Sequence, residues 1–482
     1  MNERLELQSK LIKDKGRRVG IMHYTAPPKE VGGVEIVISA HVDFLVKKGY
    51  EIHLIYGTGG GFKAKNVFEH QISLLSPKDL EITNIQNEVL KRGEETESFD
   101  EIKEEIKSEL RNILMDLDVC IVHNIPSMPF NFAATAAINE LADELKTKFI
   151  FWIHDIATVR REWRSRAGQF PLTLLLHKNP NVEYVTISYY RLRQLETLPL
   201  KHPLGKINVI PNGVKAEDFL RFDAFTKELM NKLEVSYQDL VILIPVRVTP
   251  RKNLELALDI VYELKYLLGG ERRVKVLITG PPDHQAVARG IEYLEHLNIK
   301  IKMLGLENDV CFCHEFVAYE RSFSEGKIIK WNVADAYTIS DLVLVPSKEE
   351  GFGLPVIEAG AARKMVFVSR IPPFEELINA GINGYTFDLN ESPKNIAYKI
   401  FKEFTLQAPD TDIVNVAKNI SYRIYKMLVM DVVEPNFGDI AKNVLHKVYK
   451  ALIMNFVDPN FSYVMDKFTW NVILQEKLVP IL

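Results

Sequence analysis

Short apolar runs alternate along this chain with longer stretches in which apolar side chains recur every three or four positions. The first kind of run predicts buried strands and the second predicts amphipathic helices. Strands are expected at 19–24, 51–56, 119–122, 149–153, 183–187 and 207–210, with helices at 33–48, 102–117 and 133–146 between them. Gly49 stands where a left-handed cap would end the first helix. The polar stretch 215–237 reads as a connector, and then the rhythm restarts. Strands are expected at 240–246, 274–279, 310–313, 342–345 and 365–369, and helices at 254–268, 284–297 and 354–362. Strands alternating with helices predict an α/β protein with parallel sheets. From about residue 390 the strand rhythm stops and the pattern is mostly helical.

With 482 residues the chain is too long for one core, so the rhythm divides into two Rossmann-like domains facing across a cleft, with a helical C-terminal tail. Ligands in such sheets bind beyond the carboxyl ends of the strands, which directs attention to the loops there. A formal net charge of -4 excludes a chain-wide basic field, and no nucleic acid is expected as partner. Three cysteines make no disulfide framework, which fits a reducing cytoplasm. Neither a signal peptide nor a transmembrane run is apparent, while peripheral membrane contact and dimerisation stay open. The acidic stretch at Glu94–Glu97 and the helix after it read as a solvated face.

Chemistry concentrates in a few loops. Glu350-Gly-Phe-Gly-Leu-Pro-Val-Ile-Glu358 follows a strand and enters a helix. Gly351 and Gly353 let backbone approach a ligand, and Pro355 suits a first helical turn. Glu350 and Glu358 could then grip two polyol parts of one ligand; a tight turn with a capping Glu350 is the plainer alternative. Arg247 and Lys252 lie just past a strand, beside a helix start at Asn253, and form a candidate anion site. Arg251 competes for either role, and a solvated loop is the alternative. Arg160, Arg161, Arg164 and Arg166 surround Trp163 and could meet an acceptor phosphate or carboxylate, or anionic lipid; scattered surface arginines are the alternative. His123 and Asn124 end a strand, where acceptor contact and capping are equally open. Cys311-x-Cys313 reads as core thiols, and Gly57-Thr-Gly-Gly-Gly61 as a mobile loop lacking the spaced dinucleotide fingerprint.

Pro346-Ser-Lys-Glu-Glu-Gly-Phe-Gly-Leu-Pro-Val-Ile-Glu-Ala359, taken with Arg247 and Lys252, resembles the retaining GT-B glycosyltransferases of family four, which include sucrose and trehalose phosphate synthases. Gly32-Gly33, His154-Asp155, Ile210-Pro-Asn-Gly-Val214, Ile371-Pro-Pro-Phe-Glu-Glu and Gly384-Tyr385 resemble further elements of that family in the same order. Val246, where the family often has Gly, and Ala362-Arg-Lys-Met-Val, where it often has Ala-x-Gly-x-Pro, depart from it. The resemblance implies an N-terminal acceptor-side domain at 1–215, a nucleotide-sugar-binding domain at 216–430, and a helical tail at 431–482 returning to the first. It further implies that Glu350 with Gly351, Phe352, Gly353 and Leu354 holds the donor sugar, and that Glu358 takes the ribose. Arg247 and Lys252 would take the diphosphate, aided by Gly32 and Gly33, and His154 would lie by the anomeric carbon. The implied reaction moves mannose or glucose from GDP-mannose or UDP-glucose, with retention and without a cofactor or metal, onto a small anionic or glycan acceptor. The rival readings are a lipid- or polysaccharide-directed transferase, a sugar-nucleotide epimerase or phosphorylase, and a non-catalytic nucleotide-sugar-binding protein.

Overall fold

A computed structural model describes residues 16–30, 32–198, 204–236, 239–270, 273–282, 287–404 and 459–482. The chain separates into two compact units, one running to Gly213 and taking in Trp470–Leu482, the other from Val214 to Thr469.

The first unit contains β1 (Arg18–Ala26), α1 (Gly33–Lys48), β2 (Glu51–Gly59), β3 (Val67–Gln71), α2 (Leu80–Arg92), α3 (Glu97–Leu114), β4 (Val119–His123), α4 (Phe132–Glu144), β5 (Lys148–Ile153), α5 (Arg161–Arg164), β6 (Val182–Thr186), α6 (Tyr189–Glu196) and β7 (Ile207–Val209). Its sheet has the order β3-β2-β1-β4-β5-β6-β7, and every neighbouring pair is parallel. Helices cover such a sheet on both faces, which is why Val19, Ile21 and Met22 are all fully buried and the strands read as continuous apolar runs. The order reverses direction between β1 and β4, and that switch point opens a crevice at the strand ends.

α1 has the bounds its periodicity predicts, with Gly49 in the left-handed region at φ 88° as its cap. α3 starts earlier than expected because the Thr96 hydroxyl accepts the Phe99 N–H there. Its stripe Phe99, Ile102, Ile106, Leu110 and Leu114 is buried, while Glu101, Glu104 and Glu105 face water. The acidic face is thus solvated, with Lys103 and Lys107 pairing to Glu140 on α4. β3 and α2 escaped the sequence reading because the strand is a polar edge and the helix buries only Ile82, Ile85 and Val89 among polar residues. The expected loop at 57–61 is partly a correction, since Gly57 and Gly59 belong to a strand. β2 continues to Gly59, where a side chain would stand 2.2 Å from the Ala26 carbonyl oxygen on β1.

The second unit contains α7 (Ala224–Leu233), β8 (Leu240–Ile244), α8 (Leu254–Leu267), β9 (Val274–Ile278), α9 (Val287–Met303), β10 (Val310–Phe312), β11 (Val317–Ala318), β12 (Ser322–Ser324), β13 (Lys327–Asn332), α10 (Val333–Ile339), β14 (Leu342–Val345), α11 (Leu354–Ala361), β15 (Met365–Ser369), α12 (Pro372–Glu375), β16 (Tyr385–Phe387), α13 (Pro393–Phe404) and α14 (Pro459–Lys467). α15 (Trp470–Ile473) follows, back in the first unit. The parallel sheet runs β10-β9-β8-β14-β15-β16, and its switch point lies between β8 and β14.

The expected connector at 215–237 is partly a correction. It holds α7, whose N-terminus carries a reciprocal capping box between Asp223 and Thr226. The Arg321 guanidinium clamps Asp223 and Asp335, fixing α7 and α10 to the small sheet β11-β13-β12. That small sheet is short and polar, which hid it from the periodicity. The helical tail is described only as α13, α14 and the residues after Trp470; 405–458, including the helix expected near 439–450, lies outside the described residues.

Candidate active site

In the second unit the two strands flanking the switch point deliver their loops to the same place. The loop after β8 carries Arg247, Arg251 and Lys252, and the loop after β14 carries Ser347 and Glu350. Backbone bonds lace them, with Lys348 N–H donating to the Arg251 carbonyl at 2.8 Å. Lys252 Nζ donates to Glu350 Oε1, and Ser347 Oγ donates to the same oxygen at 2.8 Å. Arg251 Nη1 is 3.9 Å from Glu350 Oε2. Both Lys252 and Glu350 are buried. Burial alone would raise the Glu350 carboxyl, but Lys252, Arg251 and the Ser347 hydroxyl hold it below its usual value. Glu350 is therefore an anion set against an ammonium, not a helix cap. Arg247 is half-buried and has no ion-pair partner among the described residues. Asn253, in the left-handed region at φ 57°, turns the chain from this loop into α8, so Lys252 stands at a helix N-terminus suited to an anion.

Gly353 precedes α11 at φ 118°, and a side chain there would lie 3.0 Å from Phe374 Cδ1 and 3.1 Å from Leu377 Cδ1. Backbone strain and crowding both demand glycine, because the Phe374 and Leu377 side chains close over this position. Pro355 occupies the first turn of α11 as expected. Glu358, one turn in, is buried, and Tyr337 Oη on α10 donates to its Oε2 at 2.6 Å. Burial pushes the Glu358 carboxyl up to about 7, against the opposing effect of the Tyr337 hydroxyl. Ser347 and Tyr337 were missed by sequence reasoning. Neither has a local signature; each is found through its bond to a glutamate.

The first unit gathers histidines at its own switch point. His123 ends β4 and His154 follows β5, and His123 Nδ1 lies 2.9 Å from His154 Nε2. His23 Nδ1 on β1 donates to the His123 carbonyl at 2.9 Å, while its Nε2 lies 3.7 Å from Glu35 Oε1 on α1. His41, on the same helix, rests edge-on against Trp152. Desolvation is the main cause that holds all four rings below their usual value, with His41 and His154 lowered to about 3. His41 and His154 are therefore neutral near pH 7. Asn124 takes the left-handed conformation at φ 58°, and its Oδ1 accepts the N–H groups of both His154 and Asp155. Asn124 thus ties the end of β4 to the loop that carries His154 and Asp155. Gly32, extended at φ -158°, and Gly33 open α1, and a Cβ on Gly33 would meet nothing within 4 Å.

The arginine cluster divides. Arg166 Nη2 donates to the Leu90 carbonyl and is a structural tie. Arg160 lies 3.8 Å from Asp155, which also holds the buried Arg191 at 2.8 Å. Arg161 and Arg164, on α5, are exposed. Cys311 and Cys313 carry free thiols, the second buried. No helix among the described residues is long and apolar enough to cross a membrane.

Residues 225–420 match the family described as Glycosyl transferases group 1. The mannosylglucosylglycerate synthase of Petrotoga mobilis is 26% identical over 375 residues, spanning 74% of this chain and 83% of that protein. The chain is a GT-B glycosyltransferase. Among solved structures, sucrose-phosphate synthase from Thermosynechococcus elongatus superposes with a TM-score of 0.62 at 13% identity, over 96% of this chain and 98% of that one. Anabaena Alr3699/HepE in complex with UDP-glucose superposes with a TM-score of 0.60 at 14% identity, over 96% of this transferase and all of that chain (100%). These likenesses support the fold. The motif 346–359 and the matched region place the sequence signal of the family in the transferase's second unit.

Proposed function

We propose that this transferase moves a hexose from a nucleoside-diphosphate sugar to a hydroxyl of a small anionic acceptor, with retention of anomeric configuration. The observation that carries the reading is the buried Lys252–Glu350 pair at the switch point, beside the half-buried Arg247 and the glycine turn. Arg247 and Lys252 take the diphosphate and stabilise the charge that grows on it as the glycosidic bond breaks. Glu350 and the 351–354 backbone hold the donor sugar, and Glu358 takes the ribose diol. Gly32 and Gly33 leave the N-terminus of α1 open for donor phosphate. His154, neutral and oriented by Asn124 and His123, serves as a hydrogen-bonding group towards the sugar and not as a cation. Retention is what the resemblance of the motif 346–359 implies; with Glu350 bonded to Lys252 and Glu358 to Tyr337, neither carboxylate stands free as a covalent nucleophile, so the retaining route is same-face attack.

For the acceptor, Arg161 and Arg164 stand exposed close after the histidine loop and suit a carboxylate or phosphate. The similarity to a protein named mannosylglucosylglycerate synthase supports a sugar acid as acceptor and mannose as the sugar moved. The test offers GDP-mannose and UDP-glucose with glucosylglycerate, glycerate and neutral glucose. Nucleoside diphosphate release that depends on an anionic acceptor, with an α-linked product by NMR from an α-donor, is expected. Release with neither donor, or an inverted product, refutes the proposal.

A further inference from the structure

Glu358 lies buried on α11 with one oxygen fixed by Tyr337 and no cation bonded to it among the described residues. This contrasts with Glu350, whose charge two donors and the Arg251 cation stabilise. A carboxylate that must accept both hydroxyls of a ribose has to be ionised and held in one orientation. We propose that Tyr337 is a positioning residue for donor binding, its phenol fixing Oε2 of Glu358 so that the carboxylate meets the ribose diol of the nucleotide. The inference rests on the reading of Glu358 as the ribose ligand.

The surroundings make the phenol the deciding neighbour. α11 packs against α10, α14, β14, β15 and the turn Ala216–Leu220. β14 and β15 carry no titratable residue. On α10 the other acid, Asp335, is held by Arg321. On the turn stand Glu217 and Asp218, and on α14 stand Tyr463, Asp466 and Lys467; none of these alters the Glu358 carboxyl appreciably, whose two influences are burial and Tyr337. Tyr337 is itself fully buried, and burial together with Glu358 keeps it un-ionised, so it acts only as a donor. Without the phenol, the charged form of Glu358 loses its one stabilising hydrogen bond, and the carboxyl protonates at higher pH.

The consequence is a donor affinity that falls with acid. With Glu358 titrating near pH 7, affinity for the nucleotide sugar drops about tenfold between pH 8 and pH 6. Loss of a hydrogen bond to a charged acceptor moves that midpoint up by roughly one unit, so Tyr337→Phe binds about fivefold more weakly at pH 7 and within about 10% of the wild type at pH 9. A purely structural role for Tyr337 would weaken binding equally at every pH.

The test is calorimetric titration of GDP-mannose and UDP-glucose from pH 6 to 9, using whichever binds the wild type more tightly. These ligands have no phosphate proton to lose in that range. The proteins are the wild type, Y337F, E358Q and the double variant, with the 2′-deoxy donor as control. A midpoint moved upward in Y337F, and absent in E358Q and the double variant, establishes the proposal. Parallel wild-type and Y337F profiles overturn it. If E358Q binds the donor as the wild type does and tells it no differently from the 2′-deoxy analogue, the ribose reading itself fails. Should Y337F not fold, Tyr337→Met takes its place, with a midpoint above the wild type's expected and a profile parallel to the wild type overturning the proposal.

Discussion

Replacing Lys252 should damage stability and activity separately, and the two can be told apart. Lys252 and Glu350 are both buried and bonded to each other. Removing one partner leaves an uncompensated buried charge, which typically costs about 3–5 kcal/mol. Here Ser347 Oγ at 2.8 Å and Arg251 Nη1 at 3.9 Å remain beside Glu350, so Lys252→Met should sit at the low end, about 3 kcal/mol. Adding Glu350→Gln removes the stranded charge and should return most of that loss, because a neutral amide keeps the Ser347 bond. Transfer should remain absent in both variants, since neither supplies the cation for the diphosphate. Urea denaturation of the second unit gives the stabilities, and diphosphate release gives the activity. A double variant no more stable than K252M would refute the view that the pair is held together by charge compensation.

Acid should unsettle the first unit. His41 and His154 titrate at about 3 in the fold against an ordinary value of 6.5, so the unfolded chain binds more protons below pH 6.5 and stability falls as pH falls. Each should remove about 2 kcal/mol between pH 8 and pH 5, and His41→Phe should flatten the measured slope; an unchanged slope refutes the assignment. Gly353→Ala should abolish transfer and cost about 1–3 kcal/mol from positive φ and the Phe374 contact, read by thermal melting and activity together. Arg164→Ala should raise acceptor KM several-fold while leaving donor binding intact, as steady-state kinetics with calorimetry would show; equal effects on both would remove the arginine from the acceptor site.

Much of the fold was legible because parallel strands and their helices write different periods. α1, β14 and β15 have the bounds their patterns predict, since glycines, a buried apolar run and a helical stripe mark them locally. The edge strand β3, the helix α7 and the small sheet β11-β13-β12 were not legible. Their stability comes from partners distant in sequence, such as Arg321 bridging Asp223 and Asp335. Gly57 and Gly59 looked like part of a loop because their cause, the close approach of the Ser76 backbone and of the Ala26 carbonyl, leaves no local trace.

The candidate site divides in the same way. By itself, the sequence determined that Arg247, Lys252, Glu350 and Glu358 follow strands in the second half of the chain, and that His123, Asn124 and His154 do so in the first. Residue type and spacing along one chain carry that information. Only the tertiary structure decided that Lys252 and Glu350 are one buried pair, that Asn124 orients the histidine loop, and that Tyr337 holds Glu358. The partners in these contacts lie between 21 and 98 residues apart, and which strands become neighbours at a switch point is a property of the whole sheet. The ionisation of the two glutamates follows from that placement. Identical side chains in one motif are driven in opposite directions, Glu350 downward by adjacent cations and Glu358 upward by burial beside a neutral phenol.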